Sequence, residues 1–411
     1  MKLLVVEPRG LFPADSGAKI LSSNILRHLC KAHDVTIVCN VSGGDAGEHT
    51  EQMSGLGASV VEVPWREMRN FTPRFYIELA KCMLTGEVYS VKKFCTPALK
   101  QAAATLAAEQ KFDAVVWDTI STFMPDVDFG HTPRVALDHN IEYRLRERQA
   151  GRAGGLKAAY LRYYARKTRE FEVDTFRKAD HTVTVSRADA DHVRDELGIG
   201  HVSALPPGVD AEYFSPGEYS SPSEPEADEP GLVFTGSMDW QSNQDAVTFF
   251  VNEVLPGVMQ AVPDVRFTIV GRRPPAQITA LAEADPEHVV VTGTVDDVRP
   301  YLARARAAVV PVLFGSGIKI KVFEAMAMAK PVVVSTIGAE GLPLTHNDNV
   351  LIADSPEDMA SRCVELLNDA ALRKRLGERA RETVLGGHDW SVVAAELALV
   401  CESVAQRRKQ P

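Results

Sequence analysis

The chain has 411 residues, of which 45% are hydrophobic and 24% charged. At roughly 100–200 residues per domain this is material for two folded cores, and the apolar fraction excludes a disordered chain. With 55 acidic against 45 basic residues the formal charge is −10, so a nucleic-acid binder acting through overall basicity is excluded and no nucleic-acid partner is expected.

The amino end reads as a strand, Leu3–Glu7. Its apolar run stops at Glu7, short of the roughly 7–15 residues of a signal-peptide core. Nowhere do about 18 apolar residues run together, as a membrane span requires. A turn-rich segment, PRGLFPADSG, leads into a helix with Ile20, Ile25 and Leu29 at helical spacing. Strands are then predicted at Val35–Cys39, from Ser59 (SVVEVP), from Asp113 (DAVVWD), from Arg134 (RVALD) and from His181 (HTVTVS). Runs apolar on both faces and separated by helices predict a parallel sheet covered on both sides. The stretch Gly217–Pro230, rich in acid, Pro and Ser, reads as an exposed connector. After it the alternation restarts with GLVFTGSM, RFTIVG, HVVVTGTV, AAVVPVLF and KPVVVST. A last helix, Ser391–Gln406, carries Val393, Leu397, Val400 and Val404 on one face. The expected organisation is an α/β first domain at 1–205, a linker at 206–230, a second α/β domain at 231–387, and a helix at 388–411 crossing back to the first. Ligands of such sheets lie beyond the carboxyl ends of the strands, so two domains facing each other enclose a cleft.

Six cysteines are scattered without a CxxC pair or a zinc spacing, which predicts reduced thiols and a cytoplasmic protein. No His, Asp or Glu cluster has metal-ligand spacing, so no metal and no cofactor are expected.

The most informative segment is Pro311–Leu342, a strand, a glycine-bearing turn, and a helix from about Ile318 to Ala329. Gly315 and Gly317, flanking Ser316, permit close backbone approach, and free N–H groups of the first helical turn suit a diphosphate. Lys319 and Lys321 add positive charge, with Lys319 nearer the helix start. Glu324 can accept two hydroxyl hydrogen bonds, as a ribose offers.

This block resembles the donor-binding signature of the retaining family-4 glycosyltransferases, in which a glutamate precedes Ala-Met-Ala-x-x-x-Pro-Val-Val. Glu324 matches the second glutamate of the family's Glu-x7-Glu pair, and Ser316 stands in place of the first. The variant GSGIKIKVFEAMA is similar to a glycoconjugate and exopolysaccharide branch. FTGSMDWQSNQDAVTFF resembles the opening of the family's second domain, a strand ending in Gly-x-Met/Leu at Gly236, with Ser237 and Asn243 where many members carry Arg and Lys for the diphosphate. Lys319, joined by Lys321, is expected to supply that charge. RFTIVGRRPP resembles the next turn, with Gly271 and Arg272 bordering the nucleotide, and VTGTVDDVRPYL places Val295 near the base. In the first domain the loop Asp15–Lys19 resembles one in which a glycine, here Gly17, lets the chain approach donor phosphate and acceptor. LDHNIEYRLRER resembles a His-Asn-x-Glu segment, with Asp138 and Asn140 on the acceptor side and His139 orienting the sugar or the incoming hydroxyl.

The resemblance implies a GT-B fold, two Rossmann-like parallel-sheet domains facing a cleft, and a metal-independent hexosyltransferase that retains anomeric configuration. Its partners would be a nucleotide-diphosphate sugar, UDP before GDP, and a hydroxyl acceptor. Catalysis would rest on His139, Lys319 and Glu324. Two rivals share these residues: a sugar-nucleotide epimerase of the same fold and a non-catalytic sugar-nucleotide-binding protein. Arg144–Lys178 holds eleven Lys/Arg against four Asp/Glu, with Tyr160, Leu161, Tyr163, Tyr164 and Phe171 interleaved. It reads either as a peripheral contact with the inner membrane face or as a solvated helix packing its aromatics inward.

Overall fold

A computed structural model describes residues 1–14, 16–42, 46–68, 72–205, 208–218, 231–314 and 319–409. Asp15, Gly315, Ser316, Gly317 and Ile318 lie outside the described residues, as does most of the expected connector. Contacts divide the chain into two compact units, Met1–Pro206 with Ser391–Pro411, and Pro207–Trp390.

In the first unit the described strands are β1 (Lys2–Glu7), β2 (Asp34–Ser42), β3 (Ser59–Trp65), β4 (Ala114–Asp118), β5 (Arg134–Asp138), β6 (His181–Thr184) and β7 (Val202–Ala204). They form one parallel sheet in the order β3-β2-β1-β4-β5-β6-β7. Leu3 pairs with Val35 on one side and Ala114 on the other, which puts the ends of β1 and β4 side by side. Leu3, Leu4, Val5 and Val6 are all buried because helices cover both faces. The helix Gly17–Ala32 buries Leu21, Ile25, Leu26 and Leu29 against the sheet. The helix Pro97–Glu109 starts cleanly: Thr96 Oγ1 accepts from the Leu99 N–H at 3.1 Å, and Pro97 needs no partner in the first turn.

The second unit carries β8 (Gly231–Thr235), β9 (Arg266–Val270), β10 (Val289–Gly293), β11 (Ala307–Val310), β12 (Val332–Val334) and β13 (Leu351–Ile352), parallel in the order β10-β9-β8-β11-β12-β13. Phe234, Phe250, Phe267 and Phe323 are fully buried in its core, with the Phe250 and Phe267 rings 4.4 Å apart. The edge strands β7 and β13, three and two residues long, are too short to register as hydrophobic patterns.

The last helix spans Trp390–Lys409, and its residues from 391 onward cluster with the first unit. Its buried stripe runs Val393, Leu397, Cys401 and Val404, with Cys401 taking the place expected of Val400. Arg408 closes it with an ion pair to Asp180 at 2.9 Å.

The basic stretch folds as the helices Glu142–Arg152 and Gly155–Lys178. Tyr160 and Tyr164 stack, ring centroids 6.0 Å apart, and Arg146 lies over Tyr164. Lys167 pairs with Glu170 and Lys178 with Asp174. Leu156 and Lys157 remain exposed at its amino end. Among the described residues no helix is long and apolar enough to cross a membrane.

Candidate active site

Each sheet has a point where strand order reverses, between β1 and β4 in the first unit and between β8 and β11 in the second. Open parallel sheets bind ligands beyond the strand ends at that point.

In the first unit, three adjacent strands end in a carboxylate: Glu7 on β1, Asp118 on β4 and Asp138 on β5. A pocket of about 220 Å³ opens there, with Glu7, Ser16, Lys19, Asp138, His139 and Asn140 in its lining. His139 follows β5, as expected. Its Nε2 lies 2.6 Å from Asp118 Oδ1, out of line for a hydrogen bond. His139 Nδ1 is buried without a partner among the described residues. Glu7 and Asp118 lie side by side at the ends of the paired strands β1 and β4. Burial, and then the neighbouring Asp118 charge, pushes the Glu7 carboxyl well above the usual carboxylate range. Burial also acts on Asp118, but the neighbouring His139 imidazole, joined by Glu7, outweighs it and holds Asp118 low.

Asp138 is raised well above its usual range by burial and then by Glu172, Glu142 and Asp189. Burial pushes Glu172 up to about 8, although it accepts from the N–H groups of Glu142 at 2.8 Å and Tyr143 at 3.0 Å. By capping the helix that starts at Glu142, Glu172 fixes the turn carrying His139 and Asn140. Gly17 opens the helix after β1, and a Cβ there would meet nothing within 4 Å. Packing within the protein therefore does not require this glycine.

In the second unit the backbone dominates. Gly236 has φ +155°, and a Cβ on it would run into Lys321 and Asn243. A Cβ on Gly271 would overlap the Gly236 carbonyl, so the turns after β8 and β9 meet main chain to main chain there. The Gly236 N–H donates to Val270 O at 2.9 Å and the Met238 N–H to Arg272 O at 2.9 Å. Arg272 Nε donates to Ser237 Oγ at 3.0 Å. Asn243 Nδ2 donates to Ser237 O at 2.7 Å, and Lys321 Nζ donates to Asn243 Oδ1 at 2.8 Å while lying 4.0 Å from the Phe234 ring centroid.

The described part of the helix anticipated at 318–329 is Ile320–Ala327, with Lys319 at its cap position. Lys321 reaches the loop after β8. Burial pushes the Lys321 ammonium down to about 7, against the opposing pull of Glu324. Burial pushes Glu324 up to about 7, against Lys321. Burial also lowers Lys319. Val295 follows β10 and packs half-buried on the core.

The structure thus brings Gly236, Ser237, Gly271, Arg272, Asn243 and Lys321 together, with Glu324 coupled to Lys321. It separately brings Asp138, His139 and Asn140 to one pocket. Sequence reasoning missed Glu7, Asp118 and Glu172. A signal for the first two was present: LLVVE, AVVWD and RVALD are three apolar strands that each finish on an acid. Among the described residues no group of three His, Cys, Asp or Glu side chains is arranged to hold a metal ion.

Two parallel-sheet units, each with its polar groups gathered at a strand-order reversal, define the class of two-domain Rossmann-like proteins. Family profiles described as Glycosyltransferase Family 4 and Glycosyl transferases group 1 match residues 16–213 and 229–369. A phosphatidyl-myo-inositol mannosyltransferase of Mycobacterium leprae is 35% identical over 157 residues, 37% of this chain and 42% of that protein. A glycogen synthase of Mycobacterium tuberculosis is 24% identical over 315 residues, 71% of this chain and 72% of that one. The match to the mannosyltransferase therefore spans under half of its length. Among solved structures, HepE of Anabaena in complex with UDP and glucose superposes with a TM-score of 0.65 at 15% identity, covering 98% of this chain and all of that one. The chain belongs to the family-4 glycosyltransferases and has the GT-B fold.

Proposed function

We propose that this protein transfers a hexosyl unit from a nucleotide-diphosphate sugar to a hydroxyl acceptor, with retention of configuration and without a metal ion. The observation that carries the reading is the second-unit constellation: two glycine turns in main-chain contact, with Lys321 and Glu324 beside them. Close-packed backbone leaves room for a diphosphate, and a buried ammonium regains its charge when an anion arrives. Glu324 then accepts from the ribose hydroxyls, and Lys321 with the N–H groups at the helix start stabilises the departing diphosphate. UDP is favoured over GDP; the HepE structure contains UDP. The acceptor hydroxyl belongs to the first-unit pocket, where Asp138, His139 and Asn140 offer polar groups suited to a polyol. Peripheral contact with an anionic membrane through Arg144–Lys178 is part of the proposal, and cosedimentation with anionic vesicles checks it.

A thermal-shift screen of nucleoside diphosphates tests the donor assignment, because the ligand that binds the folded state most tightly raises Tm most. UDP should give the largest shift, and no shift with any nucleoside diphosphate would overturn the reading. Incubating the preferred nucleotide sugar with and without an acceptor then separates transfer from epimerisation.

A further inference from the structure

Beneath the first-unit pocket lies a polar group that donor binding does not explain. Glu7 is 1% exposed, Asp118 2% and His139 8%, and they form a continuous line from β1 through β4 to the turn after β5. Three ionisable side chains in a sheet core are costly unless they satisfy one another. Two carboxyl groups buried side by side do not readily both carry charge, so one keeps a proton. Asp118 faces the imidazole and is held low, while burial and the Asp118 charge push Glu7 up, so Glu7 is the one that keeps the proton.

We propose that Asp118, with Glu7 beside it on the neighbouring strand, is the positioning residue for His139: it fixes the tautomer with the proton on Nε2 and reserves Nδ1 for a hydroxyl of the sugar or the acceptor. The geometry supports this division of labour. Both ring nitrogens are buried without an in-line hydrogen-bond partner among the described residues, but Nε2 is the one with a carboxylate oxygen 2.6 Å away, which a small turn of the ring brings into line, and the side chain lines the pocket. A histidine nitrogen is committed to one role when the other nitrogen is engaged. An unsatisfied buried polar atom costs free energy that an arriving hydroxyl would recover. Glu7 and Asp118 do not themselves reach the reacting atoms in this scheme. They hold the ring in one orientation and one protonation pattern, and no proton leaves the trio.

The rate arm of the test rests on the transferase reading; the spectroscopic arm does not. Asp118→Asn should lower kcat for transfer about 100-fold or more while leaving nucleoside diphosphate affinity unchanged. Added to His139→Ala it should cost nothing further, since residues acting through one group are not additive. Glu7→Gln should stay within about threefold of the native rate, because its amide, like a protonated carboxyl, places a neutral donor beside Asp118, whereas Glu7→Leu should resemble Asp118→Asn. Circular dichroism and Tm identify any variant that has failed to fold, in which case Glu7→Gln against Glu7→Leu carries the comparison. Independently of activity, the ring-nitrogen signals of His139, assigned by their disappearance in His139→Ala, should show a single Nε2–H tautomer in the native protein and a mixture in Asp118→Asn. Additive losses in the double variant, or ring signals indifferent to Asp118, overturn the relay. Should the native protein transfer nothing from any nucleotide sugar, the functional reading falls and the ring signals still decide the relay.

Discussion

The two units solve the same topological problem with different materials. Both reverse strand order beside the first strand and gather polarity at that point. The first unit does so with side chains: Glu7, Asp118 and Asp138 end three neighbouring strands, and His139 reaches back to one of them. The second does so with main chain: Gly236 and Gly271 remove side chains from the turns, and Lys321 and Glu324 supply charge from one helix. A diphosphate is satisfied by unspecific N–H groups and positive charge, so glycine turns suffice. Orienting a particular hydroxyl requires a directional nitrogen or oxygen, and such atoms must be held rigidly. The side-chain site therefore needs a supporting layer, whereas the backbone site has one already.

That contrast makes the effects of substitution separable. The largest is expected at His139: His139→Ala should lower the transfer rate by about 10²–10⁴-fold while nucleoside diphosphate affinity stays native. Measuring both quantities on one preparation decides the matter, and a joint collapse would mean that the two sites are not independent. Next comes Glu324→Ala. Losing charge-assisted hydrogen bonds worth about 1.5–3 kcal/mol each should weaken nucleoside diphosphate binding at least tenfold by calorimetry. Native affinity in that variant would remove Glu324 from the donor site. Gly271→Ala should lower stability by about 1–3 kcal/mol, because its Cβ overlaps the Gly236 carbonyl and main chain must shift. Denaturant midpoints check this, and an unchanged midpoint would show that the turns are not held together as described.

A smaller effect sharpens the comparison through pH. Glu324 titrates at about 7 in the fold, above its unfolded value, so its contribution to stability is full at about pH 4.5 and falls as pH rises to 7. Lys321 titrates at about 7, below its unfolded value, so its burial penalty is full at and below pH 7 and fades towards pH 10.5. Together they place a trough in stability near pH 7. The Lys321→Met, Glu324→Gln double variant should lack that trough and exceed the native Tm most near neutrality, by roughly 2–4 °C for each kcal/mol regained. A native profile with no dip there would contradict the burial of this pair. The smallest expected effect is of chelation: activity should persist in EDTA, and its loss with recovery on adding magnesium or manganese would overturn the metal-free mechanism.

The sequence alone determined the alternation of buried strands with helices, because doubly covered parallel strands are apolar on both faces and stand out at any position in the chain. It also determined the family, through FEAMAMAKPVVVST, and the arrival of His139 at a strand end, since that follows from local order. What only the tertiary structure decided is which strand ends become neighbours. Glu7, Asp118 and His139 are separated by many residues and meet because β1 pairs with β4 and β4 with β5, a register no local pattern encodes. The same holds for Lys321. Near Lys319 in sequence, it is distinguished by long-range contact with Asn243 and the Phe234 ring. Ionisable groups acquire shifted titration and fixed direction from burial and from partners across the sheet, and those are properties of packing rather than of any segment of the chain.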